Sequence, residues 1–166
     1  MIKAVIFDLD NTLYSYDANH IYGMEALAGY CRETFSITEE ETREYYRKAG
    51  YIMANRIGTD MTAYIQYKKL EAIGAEVYLD FMVTSEEAGV EKPHYHLFEL
   101  CVEKAGVRAE ECAFIGDNVK KDIEGAWESG LRGIWYTQEK EPTERRYFPT
   151  LRSFAGIHVD DFLAQQ

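Results

Sequence analysis

The 166-residue sequence is short of cysteine, of positive charge, of long apolar runs and of internal repetition. Its three cysteines, Cys31, Cys101 and Cys112, are odd in number and widely spaced, with no C-x-x-C pair. That excludes a disulfide framework and reads as reduced thiols in a core. No apolar stretch reaches the ~20 residues that a membrane-spanning helix needs, so no membrane partner is expected. Without repeats or low-complexity tracts, solenoid architectures are excluded. Lys and Arg total 18 against 29 Asp and Glu, a formal net charge of -11. That charge repels phosphate backbones and removes nucleic acid from the expected partners. It also requires any phosphorylated ligand to meet a locally positive site in a negative molecule. The sequence enters a strand almost at once, so no secretory signal and a cytoplasmic location are expected.

What is present suits one domain with an inserted subdomain. The hydrophobic fraction, 46%, is ordinary for a globular chain. The most informative stretch is Ala4-Val5-Ile6-Phe7 followed by Asp8, Asp10 and Thr12. A short apolar run bounded by a polar turn reads as a buried parallel strand. Ligands bind at the carboxyl ends of such strands. Alternate residues of an extended chain point to one side, which brings Asp8 and Asp10 together. Their repulsion is relieved by a cation, by a shared proton, or by both. A hard divalent ion such as Mg2+ takes oxygen ligands of this kind.

Along the chain, a helix is predicted from about Ala18 to Phe35, with Ile21, Met24, Leu27, Ala28 and Cys31 on one face. Thr38 with Glu41 has the capping-box pattern of a second helix, for which Gly50 is the predicted end. A short strand is predicted over residues 52–58, ending at Thr59. A helix then runs from Met61 to Ile73, closed by Gly74, and Val77 to Val83 reads as another strand. A polar loop, Thr84 to Pro93, leads to a helix from His94 to Ala105. Cys112 to Ile115 and Gly133 to Tyr136 are core strands, with a helix between them, and a short terminal helix is predicted from Val159. Alternating strands and helices predict an α/β protein: a Rossmann-like doubly wound parallel sheet covered on both faces. Residues 1–14 and 52–166 form its core. Residues 15–51 form a small, shortened helical cap inserted after the first strand.

Three polar groups stand at strand ends: Asp8/Asp10/Thr12, Thr59/Asp60 and Asp117/Asp122, with Lys92 in a nearby loop. In a parallel sheet these ends face one crevice. Carboxylates from two strands suit one Mg2+, and a lysine and a hydroxyl suit the other oxygens of a phosphate.

The chain resembles the haloacid dehalogenase (HAD) superfamily, in the group of phosphatases with a small helical cap. Asp8-Leu9-Asp10-Asn11-Thr12 matches the D-x-D-x-T motif, Thr59 the Ser/Thr of the second motif, Lys92-Pro93 the third, and Gly116-Asp117 with Asp122 the G-D-x-x-x-x-D of the fourth. The resemblance implies Mg-dependent hydrolysis of a small phosphorylated metabolite, a nucleotide monophosphate or sugar phosphate. In that reading Asp8 is the nucleophile that becomes an aspartyl phosphate, and Asp10 is the acid and base. Asp8, Asp10 (through its main-chain carbonyl) and Asp117 hold Mg2+. Thr59 and Lys92 bind the phosphoryl group. Thr12 and Asp122 support them, with Thr84 or Ser85 as alternative donors of the second-motif hydroxyl.

Two alternatives remain: a sugar-phosphate mutase using the same intermediate, and an impaired phosphate-binding or scaffold protein. A dehalogenase is disfavoured, because that branch lacks the acid/base carboxylate that stands here as Asp10. The segment between Thr12 and Thr59 is shorter than the resemblance leads one to expect.

Overall fold

The computed structural model of the chain describes residues 1–57, 63–138 and 148–155. Its centre is a parallel sheet of four strands in the order β1-β2-β3-β4. Strand β1 (Ala4–Phe7) pairs with β2 (Cys112–Gly116), Ala4 opposite Cys112 and Phe7 opposite Ile115. Strand β3 (Arg132–Tyr136) lies on the far side of β2, with Phe114 opposite Gly133 and Ile115 opposite Ile134. A two-residue strand, β4 (Thr150–Leu151), which the sequence did not suggest, completes the order. All five residues of β2 are buried, because a central parallel strand is covered on both faces. The architecture is the expected Rossmann-like α/β fold.

Strand alternation divides the core in two. Ile6, Cys112 and Phe114 face helix α5 (Tyr95–Ala105), which buries Leu97, Phe98 and Cys101 against them. The Phe98 ring meets Phe114 edge-on at 5.2 Å. A helical stretch from Val119 to Glu128, first π-helical and then α6 (Gly125–Glu128), covers β3 on this face through Ile123. The other face carries Ala113, Ile115, Ile134 and Leu151. There Phe154 stacks on Tyr136 at 4.8 Å and meets Phe7 at 5.9 Å.

Two long helices are inserted after β1. Helix α1 (Tyr16–Phe35) ends at Ser36, whose φ of 57° is left-handed. Helix α2 (Glu39–Ile57) starts with the predicted capping box: the Thr38 amide donates to Glu41 Oε2 at 2.9 Å, and the Glu41 amide donates to Thr38 Oγ1 at 3.3 Å. Helix α3 (Ala63–Ile73) closes at Gly74, which adopts φ 66°.

Two predicted strands are not formed. Residues 52–57 of the strand expected over 52–58 are instead the last turns of α2, which passes through Gly50 and across the expected cap boundary at 51/52, and residue 58 lies outside the described residues. An interior glycine costs a helix only ~1 kcal/mol, and Met53, Ala54 and Arg56 are good helix formers with no turn residue before Gly58. Thr59 lies outside the described residues, as does the helix predicted from Val159. The strand over Val77 to Val83 is replaced by a 3-10 turn (Glu76–Tyr78) and an unladdered approach to Thr84. A strand needs a neighbour to bond, and among the described residues β1 pairs only on its β2 side. Between that open edge and residues 79–84 lies a cavity of about 270 Å3.

Gly133 shows how tightly the β3 face is packed. A Cβ there would lie 2.9 Å from both Ile123 Cγ2 and the Ile123 backbone oxygen. The backbone atom cannot rotate aside. Gly133→Ala is therefore expected to destabilise the fold by about 1–3 kcal/mol, read as a lower urea midpoint with an unchanged slope.

Candidate active site

The end of β1 delivers the first carboxylate. The Asp8 amide donates to Ile115 O at 2.7 Å, extending the ladder one residue past the strand. This fixes the Asp8 backbone against β2, whose own end carries Gly116 and Asp117. Beyond Asp10 the chain turns back: the Asn11 amide donates to Tyr14 O at 2.7 Å. Asn11 adopts φ 61°, a region asparagine tolerates better than most residues, and its side chain bonds Asp17. The turn brings Thr12, which is buried, under Asp8, and its hydroxyl donates to Asp8 Oδ2 at 3.2 Å.

Lys92 joins the two halves of the site. Its Nζ donates to Asp8 Oδ1 and to Asp122 Oδ1, each at 2.5 Å, while lying 5.4 Å over the Phe114 ring. Burial works against its charge, but the Asp8 and Asp122 carboxylates outweigh it and hold the ammonium well above its ordinary range. Asp122 is 1% exposed and accepts the Asn118 amide on its other oxygen at 3.0 Å. Gly116 makes this arrangement possible, because a Cβ there would stand 2.5 Å from Asp122 Cβ, Cγ and Oδ2. The glycine of the fourth motif thus leaves room for that motif's last aspartate.

One carboxylate oxygen each from Asp8, Asp117 and Asp122 lies within 4.8 Å of the others. Burial, then the neighbouring Asp8 and Asp122 charges, push the Asp117 carboxyl up to about 6, with Lys92 opposing. Burial also raises Asp122, against the pull of Lys92. One ammonium thus faces three carboxylates, and the negative charge is not fully compensated. A hard divalent cation fits this all-oxygen donor set.

Most of the residues singled out in the sequence therefore meet: Asp8, Thr12, Lys92, Asp117 and Asp122 form one cluster at the strand ends. Asp10 stands beside it but has a partner the sequence did not disclose. Lys69 of α3 places Nζ 2.7 Å from both Asp10 oxygens. The Lys69 side chain is 13% exposed, and its ammonium lies 5.0 Å from the Tyr16 ring centroid and 5.8 Å from that of Tyr14. No local spacing links Lys69 to Asp10, which precedes it by 59 residues. Thr84, the alternative hydroxyl, is buried and caps the four-residue helix α4 (Ser85–Ala88), accepting the Glu87 amide at 3.2 Å. Thr84 and Ser85 line the 270 Å3 cavity together with Asp8, Asp10 and Lys92.

Asp8 and Asp117 thus stand at the ends of adjacent parallel strands, and a loop lysine ties Asp8 to Asp122 of the helical stretch that follows. A family model for haloacid dehalogenase-like hydrolases matches residues 44–136, and the chain belongs to that family. It is 37% identical over 107 residues to a ribulose-1,5-bisphosphate 5-phosphatase of Halopiger xanaduensis, covering 63% of this chain and 44% of the relative. It is 34% identical over 101 residues to a phosphoserine phosphatase of Thermus thermophilus, covering 61% and 40%. The chain thus spans less than half the length of these curated relatives. Among solved structures, a HAD phosphatase from Thermococcus onnurineus superposes with a TM-score of 0.72 at 18% identity, over 92% of this chain and 94% of the other. A 2-haloacid dehalogenase from Pseudomonas syringae superposes with a TM-score of 0.70 at 19% identity, over 99% of each. At those identities the likeness is one of fold.

The raised Asp117 carboxyl has a measurable consequence. Its folded value, about 6, lies above the ordinary 3.8, so the folded state binds the proton more tightly than the unfolded state. The associated stability is complete below pH 4 and is lost as pH rises through 6. In metal-free protein Asp117→Asn is therefore expected to raise stability at pH 7 by about 1–2 kcal/mol, allowing for solvent screening. The gain should vanish below pH 4 in urea titrations.

Proposed function

We infer that this chain is a phosphomonoester hydrolase acting on a small phosphorylated metabolite, with Asp8 as nucleophile. The observation that carries this reading is Asp8 itself: pinned by Lys92 and Thr12, set within 4.8 Å of Asp117 and Asp122, and open to the cavity. The phosphatase names of the curated relatives support the same reaction class.

The chain's residues divide the work. An Asp8 oxygen attacks phosphorus, the ester P–O bond breaks, and the leaving alcohol takes its proton from Asp10. Water then attacks the phosphorus of the aspartyl phosphate and gives its proton to Asp10. The P–O bond to Asp8 breaks, and inorganic phosphate leaves. Splitting the displacement in two replaces one hard step by two easier ones. The acid and base at Asp10 is a contribution of ~10²–10⁴-fold in comparable sites. Lys92 offsets the phosphoryl charge while Asp122 and Phe114 hold it in place. Thr12 orients the Asp8 carboxylate. Asp8, the Asp10 carbonyl and Asp117 would hold Mg2+, which neutralises phosphoryl oxygens so that an anionic nucleophile can approach. The hydroxyl for the phosphoryl oxygens falls to Thr59, or to Thr84 or Ser85 at the cavity wall.

The expected outcome is release of inorganic phosphate from p-nitrophenyl phosphate in Mg2+, abolished by chelation. Asp8→Asn, with nearly the same shape, should lower kcat by at least about 10³-fold while the protein stays folded. Folded wild-type protein that releases no phosphate from any monoester in Mg2+ would overturn the assignment.

A further inference from the structure

Helix α3 brings two polar side chains to the site that the reaction described above does not use. Gln66 lines the cavity beside Asp8 and Asp10. Its Oε1 is buried and has no hydrogen-bond partner among the described residues. A buried amide oxygen left unpaired carries a desolvation penalty that folding alone does not recover. Lys69 follows three residues later, on the same side of the helix. Its ammonium is nearly enclosed, between the Asp10 carboxylate and the rings of Tyr14 and Tyr16. Aromatic faces replace water around a cation without quenching its charge.

The positions of the two lysines matter. Lys92 is committed to Asp8 and Asp122, at the phosphoryl end. Lys69 stands on Asp10, the group that faces the departing alcohol. The two cations thus each hold one member of the D-x-D pair, Lys92 on Asp8 and Lys69 on Asp10.

We propose that Gln66 and Lys69 form a subsite for the alcohol half of the substrate, Gln66 bonding a hydroxyl and Lys69 an anionic group. The favoured substrates are then phosphate esters of hydroxy acids or of other hydroxylated anions, not esters of plain alkyl alcohols. The amide serves a hydroxyl either way, since its oxygen accepts and its nitrogen donates after a half-turn. The ammonium exchanges part of its contact with Asp10 for the incoming anion, a charge-assisted bond in a partly dehydrated place. This subsite rests on the phosphatase reading above.

The test compares three esters from which first the carboxylate and then the hydroxyls are removed: 3-phosphoglycerate, glycerol 3-phosphate and propyl phosphate. Lys69→Met should lower kcat/KM for 3-phosphoglycerate about 10–100-fold more than for glycerol 3-phosphate, with Lys69→Arg keeping the preference. Gln66→Leu should lower kcat/KM for both hydroxylated esters relative to propyl phosphate by about 3–10-fold. Its urea midpoint should hold or rise, because an unpaired buried carbonyl oxygen is gone. Equal losses on all three esters, or a lower midpoint for Gln66→Leu with unchanged preference, would overturn the subsite. If folded wild-type protein releases phosphate neither from these esters nor from p-nitrophenyl phosphate or any other monoester, the phosphatase reading fails by itself. Calorimetric binding of the same esters to Asp8→Asn, with and without the α3 substitutions, then decides the subsite on the same ratios.

Discussion

The site depends on one ammonium group shared by two carboxylates from distant parts of the chain. Lys92 reaches Asp8, at the end of β1, and Asp122, in the helical stretch after β2, both at 2.5 Å. Neither carboxylate would tolerate its position alone: Asp122 is almost wholly buried, and Asp8 faces Asp117 as well. The lysine pays for both burials, and the geometry that lets it do so is made by small residues. Gly116 admits Asp122 beneath the strand end, and Gly125 lets α6 approach the loop after Lys92, where a Cβ would lie 3.0 Å from Pro93. Buried ion pairs are weak stabilisers but strict about geometry. Here the strictness holds carboxylate oxygens of Asp8, Asp117 and Asp122 within 4.8 Å of one another.

The sheet accounts for where that point lies. Parallel strands place their carboxyl ends on one edge, so β1 and β2 deliver Asp8 and Asp117 side by side without any long-range adjustment. What is unusual is the outer side of β1. Among the described residues the sheet grows only toward β2, and the space on the other side is a cavity walled by consecutive residues of β1 and of the segment after Tyr78. Consecutive lining residues mean that the cavity runs along the strand's edge and not over one face, since alternate side chains point to opposite faces. Asp8 and Asp10 therefore open onto a slot as well as onto solvent, and Gln66 reaches the same slot from α3.

The parts of this arrangement that could be read from sequence are those encoded locally. The apolar run before Asp8, the Thr38–Glu41 capping box, the left-handed glycines after α3 and α5, and the G-D pair after β2 each declare themselves within a few residues. The two failures share one cause. Residues 52–58 and 77–83 both carry strand-like apolar residues, yet a strand is a relation between two segments. With no partner paired to the outer edge of β1 among the described residues, helix propensity governs residues 52–57 and turn formation the second segment. Lys69 escaped notice for the same reason: its role is set by a contact with Asp10 across most of the inserted helices, and a lysine in a helix carries no mark of its destination.

Charge balance connects the site to the composition of the whole chain. Asp8, Asp10, Asp117 and Asp122 present four carboxylates, against the two ammonium groups of Lys69 and Lys92. The local deficit of two positive charges equals what one divalent cation supplies, and the raised Asp117 carboxyl is the protein's response to that deficit when only protons are available. A molecule with a formal charge of -11 repels anions at a distance. It binds a phosphate ester only if the last few ångströms are neutral or positive. Once a divalent cation compensates the carboxylates, the Lys92 and Lys69 ammonium groups keep the D-x-D pair from presenting a net negative face. The acidity of the chain and the phosphatase reading proposed above therefore do not conflict: the negative surface repels anions at a distance, while the lysines and a divalent cation would neutralise the site itself.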